Sequence, residues 1–174
     1  MSIAEAFLAE FEMQAPLTRK FLERVPEDQL TWKPHSRSMT AGQLALHIAG
    51  VPGSVARAVQ MPFVQAPDFA NIPQPASREE VLKTFDESAA AARELLPQLD
   101  DAAMHANFKV MAGGEEAMAM PRQAFVRNIL FSHVYQHRGQ LAVYLRLLEV
   151  PVPATWGPSA DEMPAFPQTR TAAA

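Results

Sequence analysis

The sequence predicts an all-α protein, a four-helix bundle with a small hairpin between its third and fourth helices. Three observations predict it. Four segments open on a helix-start signal and continue with apolar residues three or four apart, the period of one helix face. Most of the chain's prolines fall between those segments or after the last one, where they interrupt helix. A chain of 174 residues that is 48% hydrophobic and 20% charged has the size and composition of one folded domain. Residues 1–174 are therefore read as a single bundle domain whose residues 150–174 form an extended tail.

The first helix starts at Ser2-x-x-Glu5, a capping box, and runs through Ile3, Phe7, Phe11, Leu17 and Phe21. Pro16 should kink it or end its first half. A second box, Thr40-x-x-Gln43, opens a helix with the inner stripe Leu44, His47/Ile48, Val51, Val55 and Ala58/Val59. Pro52 and Gly53 predict a bend in it. Residues 61–76 hold Pro62, Pro67, Pro73 and Pro75, a semi-rigid connection rather than an element. Ser77-x-x-Glu80 begins the third helix, with Val81/Leu82, Phe85, Ala89, Ala92, Leu95/Leu96 and Leu99 inside, and Pro97 disturbs its end.

Phe108-Lys109-Val110-Met111 followed by Ala112-Gly113-Gly114-Glu115 predicts the hairpin. Pro121 suits the first position of the fourth helix, whose stripe reads Phe125, Ile129, His133, His137, Leu141, Tyr144 and Leu148. The proline-rich end should pack on the bundle and fray at Thr171-Ala172-Ala173-Ala174.

Charge narrows the function classes. A net charge of −4 with no dense Lys/Arg run argues against nucleic acid, whose binding requires phosphate neutralisation. With zero cysteines there is no disulfide, no thiolate metal site and no cysteine nucleophile, so a bound metal would need imidazole or carboxylate ligands. Met1-Ser2-Ile3-Ala4-Glu5 lacks a signal-peptide pattern, and no run approaches ~18 apolar residues, so a cytoplasmic protein without membrane contact is expected.

His133 and His137 stand four apart, one turn apart on one helix face, and His47 sits on the inner stripe of another helix. Bundle cores build metal sites from such facing side chains, and three imidazoles leave a coordination position open. Each histidine alone has an ordinary reading as a hydrogen-bonded core residue. Together they favour a shared divalent ion, because burying three unpartnered imidazoles is costly. Gln43 and Gln140, one turn from His47 and His137, are candidates to orient them, or else simple surface amides. His35 and His105 read as surface residues. Glu115-Glu116 and Asp161-Glu162 are possible acids or bases, more ordinarily solvated pairs. Met111, Met118 and Met120, like Trp32 and Trp156, read as packing residues.

The run Phe131-Ser132-His133-Val134-Tyr135-Gln136-His137-Arg138-Gly139-Gln140-Leu141, continuing to Arg146, resembles the fourth-helix signature of the DinB/YfiT-like superfamily. Val152-Pro153-Ala154-Thr155-Trp156-Gly157-Pro158-Ser159-Ala160-Asp161-Glu162 is similar to that family's closing segment. Gly42-Gln43-Leu44 with Leu46-His47-Ile48-Ala49, and Leu30-Thr31-Trp32-Lys33-Pro34 before them, match its second helix and linker. The resemblance implies up-down-down-up topology, a homodimer, and three histidines on zinc, nickel or a similar ion. It further implies a metal-dependent enzyme, a thiol S-transferase in which a low-molecular-weight thiol attacks an electrophile. A metal-dependent hydrolase and a non-catalytic metal- or ligand-binding stress protein stand as the alternatives. Gln136 and Ser132 depart from the histidine and asparagine that many relatives carry there.

Overall fold

The computed structural model describes residues 1–68 and 71–164. Its long helices are α1 (Ile3–Glu23), α2 (Ala41–Ala58) and α3 (Arg78–Leu95), followed by a short α4 (Asp101–His105). The last long helix has three parts: α5 (Arg122–Phe125), a π-helical stretch over Val126–His133, and α6 (Val134–Leu147). Three strands complete the fold: β1 (Phe63–Gln65), β2 (Asn107–Ala112) and β3 (Glu115–Pro121).

Side-chain bonds between helices set the directions. Arg93 reaches Glu12 and Arg19 reaches Asp86, so α1 and α3 run antiparallel. Thr40 bonds Gln74 just before α3 while Gln60 bonds Leu95 at its far end, so α2 and α3 run parallel. Arg127 meets Glu10 and Arg138 meets Thr18, which aligns the last helix with α1. Tyr144 bonds Met39 and Arg122 bonds Val59, which sets it against α2. The order is up, down, down, up. Residues 59–77 make the crossover that a parallel α2–α3 pair requires.

The expectation of an all-α fold is corrected by the sheet. The chain is mostly helical, with a three-stranded sheet in the order β1-β2-β3 at one end. The β2–β3 hairpin is the one the glycines predict: Gly113 and Gly114 turn with φ of 60° and 88°, which suits glycine in a two-residue turn. β1 lies inside the connection read as having no element and pairs parallel to β2, Val64 opposite Val110. Three residues carry too little pattern to announce a strand; the hairpin's open edge orders them.

Two prolines sit inside helices without ending them. Pro16 is exposed, so the carbonyl it leaves unbonded on Glu12 faces solvent, and α1 continues to Glu23. Pro52 is buried, and Ser88 of α3 bonds the backbone on either side of it: Gly53 N donates to Ser88 Oγ at 2.6 Å, and Ser88 Oγ donates to Gly50 O at 3.2 Å. A Cβ on Gly53 would stand 2.9 Å from Ser88 Cα, so glycine is what lets α2 and α3 approach this closely. Pro97 turns the end of α3 into a 3₁₀ turn over Leu96–Gln98. Ser77 caps α3 through Glu80 N, but Glu80 bonds Ala76 N instead of closing a reciprocal box.

The core lies between the four long helices, with Leu22, Leu44, Ile48, Leu96, Phe131 and Leu141 fully buried. Phe108 brings the sheet into it against Phe125, at 4.9 Å between ring centres. Pro121 closes β3 and precedes the last helix instead of occupying its first turn. Residues 150–164 fold back on the bundle: Asp161 pairs with Arg146 and accepts from Val152 N, while Glu162 pairs with Arg24 and accepts from Ala154 N. The fraying predicted at Thr171–Ala174 lies outside the described residues. Among the described residues no helix is long and apolar enough to cross a membrane.

Candidate metal centre

Three imidazoles meet where α2 faces the last helix. His47 comes from the first half of α2, His133 closes the π-helical stretch, and His137 follows one turn into α6. One ring nitrogen from each lies within 4.8 Å of the other two. His47 Nε2 and His133 Nε2 are 2.7 Å apart. Ring centres stand 5.0 Å apart for His47–His133, 4.8 Å for His47–His137 and 4.3 Å for His133–His137, with ring planes at 75° to 88°. Such edge-on rings point nitrogens, not faces, at a common point.

The histidines lie half-buried beside the core stripe, not on it. Along the last helix the buried residues are Phe125, Val126, Leu130, Phe131, Val134, Arg138, Leu141 and Leu145, while Ile129, His133, His137, Tyr144 and Leu148 form the flank. The i, i+4 reading found the histidine face but took it for the centre of the core. A flank position leaves one side of the cluster toward solvent.

Burial governs their protonation. It lowers His47 to about 4, with His137 and His133 adding to the shift, and it lowers His133 in the same way, with His137 second. Both are therefore neutral near pH 7, one donating its Nε2–H to the other's lone pair. Metal ligands need that neutral form, and among the described residues no carboxylate hydrogen-bonds any of the three. Gln140 Oε1 lies 2.7 Å from His137 Nδ1, and an amide oxygen there accepts the Nδ1–H and leaves Nε2 as the lone-pair donor. Three imidazole nitrogens with one tautomer already fixed suit a divalent ion as donor set.

The remaining candidates separate. Gln140 holds His137, but Gln43 spends both ends elsewhere: its Oε1 accepts from Thr40 N and its Nε2 donates to Ile72 O, so it caps α2. His35 is exposed, its Nδ1 accepting from Arg37 N. His105 is exposed at the end of α4 and pairs with Gln123. Glu116 pairs with Lys109, and Asp161 and Glu162 hold the tail, so neither acidic pair touches the cluster. Met118 is 51% exposed, contrary to a packing role, as is Trp156 at 60%. Trp32 packs edge-on against Tyr144 at 5.6 Å.

Sequence reasoning missed a second polar seam, on the α1 side of the same helix. Glu10 accepts from both Nη atoms of Arg127, at 2.8 and 2.7 Å, and from Tyr135 Oη at 2.7 Å. The Arg127 hydrogen bonds hold the Glu10 carboxyl below its usual range, while burial and Glu10 push the Tyr135 phenol up. Arg138 is buried, donating to Gln14 Oε1 at 3.0 Å and Thr18 Oγ1 at 3.2 Å beneath the Tyr135 ring. Burial lowers its guanidinium, which pairs with no carboxylate among the described residues. The only sign in the sequence is spacing: Arg127, Tyr135 and Arg138 share a face opposite the histidines.

The fold and motifs together mark a DinB-type bundle. The pattern describing the DinB superfamily matches residues 10–141, more than half of the chain, and the chain belongs to that superfamily. It is 26% identical over 161 residues to the uncharacterised protein YrdA of Bacillus subtilis (strain 168), covering 92% of each chain. A DinB-like protein from Bacillus cereus ATCC 10987 shares the fold with a TM-score of 0.69 at 20% identity, over 87% of this chain and 97% of that one. The DinB-like protein YjoA of Bacillus subtilis does so with 0.65 at 18%, over 86% and 96%.

Proposed function

We propose that this protein is a metal-dependent enzyme that transfers a low-molecular-weight thiol to an electrophile, with His47, His133 and His137 holding a zinc or nickel ion. The convergence of three half-buried imidazole nitrogens within 4.8 Å carries this reading. A divalent ion there would supply the Lewis acidity that makes a thiol nucleophilic at neutral pH, which a chain with zero cysteines cannot do through a thiol of its own.

The protein's contribution is electrostatic and positional. The histidines bring no charge, so a dication would keep its full charge in a half-buried setting, and an anionic fourth ligand such as a thiolate is favoured. Gln140 keeps His137 in the ligating tautomer. Hydrolysis is less well served, since among the described residues no carboxylate hydrogen-bonds the cluster to take a proton from water. The reading takes the partner to be a small molecule, not nucleic acid or membrane, and the working form to be a cytoplasmic homodimer.

The test has two stages. Elemental analysis of protein purified without added metals, beside a His133→Ala variant, should show about one ion per chain that the variant lacks. Glutathione-, bacillithiol- and mycothiol-type thiols are then offered with electrophiles, next to ester and amide substrates alone. Turnover that requires thiol and metal together supports the reading; metal-dependent hydrolysis without thiol replaces it with a hydrolase. A bound ion that raises Tm without turnover in either panel leaves a metal-binding protein.

A further inference from the structure

The last helix winds as a π-helix over the eight residues Val126–His133 and returns to α-helix directly after His133. An α-helix advances by about 100° per residue, so the consequence for each side chain can be counted. Take His137 as zero and count back along an unbroken α-helix. Val134 then falls at about 60°, Arg138 at about 100° and Leu141 at about 40°, and all three are buried, so the core lies on that side.

Continued without interruption, the same count puts Arg127 at about 80°, in the middle of the core, and Phe125 at about −120° on the opposite, solvent side. The structure has the reverse. Arg127 is exposed and bonds Glu10, while Phe125 is buried against Phe108. One residue of lag, about 100°, repairs both placements. It moves Arg127 to about 180°, beside Tyr135 at about 160°, and those two side chains share the Glu10 carboxylate. Ser132 Oγ donating to Arg127 O, five residues back, lies along the widened turn.

Both halves of the helix are anchored independently. Arg122 donates to the carbonyls of Val59, Met61 and Ala103 and holds the first half. Arg138 with Gln14 and Thr18, and Tyr144 with Met39, hold the second. With the first half held, an unbroken α-helix would carry His133 and His137 about 100° round, toward the direction Arg138 now takes and away from His47.

We propose that the one-residue excess in Val126–His133 is the positioning device of the histidine cluster, turning His133 and His137 onto His47 while the first half of the helix keeps its own anchors. The inference rests on the metal reading for one of its readouts and is independent of it for the other.

The experiment moves the excess residue past the pair: Asn128, which is exposed, is deleted, and one alanine is inserted between His137 and Arg138. Chain length and the phases of 122–127 and 138–147 stay as they are; only 129–137 rotate. Cobalt(II) titration, read by absorption, should show affinity at least ~100-fold weaker than in wild type and in an Asn128→Ala control, with helix content by circular dichroism kept. The second readout uses no metal. In a chain with zero native cysteines, a His47→Cys/His133→Cys pair is joined by a short bis-maleimide in the Asn128→Ala background and not in the relocated chain. Unchanged cobalt affinity or equal cross-linking in the relocated chain overturns the proposal. Wild type that takes up no cobalt overturns the metal reading instead, and the cross-link alone then decides this one. If the relocated chain is unfolded by circular dichroism, deletion of Asn128 alone is read the same way.

Discussion

The last helix meets α1 along one seam and α2 along another, and the two are built from opposite chemistry. Toward α1 it presents Arg127, Tyr135 and Arg138, which are answered by Glu10, Gln14 and Thr18. Every contact there pairs a donor with an acceptor, and nothing further is required. Toward α2 it presents His133 and His137 against His47: three like groups, of which His47 and His133 are neutral because burial and nearby imidazoles disfavour their charge. Three imidazole nitrogens that converge on one point form a donor set a shared cation can take up, and that distinguishes a ligand-accepting seam from a structural one.

Removing a ligand should break the contrast most sharply. His133→Ala is expected to weaken metal affinity by more than ~100-fold in cobalt titration. The thermal midpoint of the metal-free protein should change little, because the lost imidazole was a half-buried polar group; similar affinity in wild type and variant would show that the α2 seam is structural too. Gln140→Leu comes next. The amide touches His137 and not the ion, so roughly 10–100-fold in affinity is expected, with rescue by Gln140→Glu, whose carboxylate also accepts the Nδ1–H.

Acid should separate the seams by pH window. His47 falls from 6.5 in the unfolded chain to about 4 when folded. As pH drops from 6.5 toward 4 the unfolded state takes up a proton that the folded state refuses, so the metal-free protein loses stability across that window. Glu10 is also lowered in the folded state, by its hydrogen bonds from Arg127, so its contribution is present above the unfolded carboxylate value of 4.5 and is lost as pH falls below it. Urea midpoints measured from pH 7 to pH 3 should therefore decline in two stages. His47→Ala flattens the upper stage and Glu10→Gln the lower one, the latter with a loss on the order of 1 kcal/mol at pH 7. A single decline untouched by His47→Ala would show that burial does not depress that imidazole.

The smallest effect falls on the residue that turned out not to support the site. Gln43→Ala should cost roughly 0.5–1 kcal/mol through the cap it completes with Thr40, and leave metal affinity where it was. A drop in affinity comparable to that of Gln140→Leu would restore Gln43 to a place beside His47.

The sequence by itself determined the four long helices, their capping residues at Ser2, Thr40 and Ser77, the glycine turn of the hairpin, and the pairing of His133 with His137 on one face. These are local: a cap spans three residues, a helix face repeats every three or four, and a tight turn needs glycine at named positions. Tertiary structure decided what depends on distant groups. His47 lies 86 residues from His133, and no local rule brings their nitrogens to 2.7 Å. β1 became a strand because β2 offered an edge, and Pro52 was absorbed because Ser88 of another helix took over the bonds around it. Arg138 was drawn inside by Gln14 and Thr18, and Gln43 was committed to its own helix end. The π-helical stretch belongs to the same group. An apolar stripe drawn at a constant 3.6-residue period has no room for an extra residue, and that residue was required because the two ends of one helix answer to different neighbours.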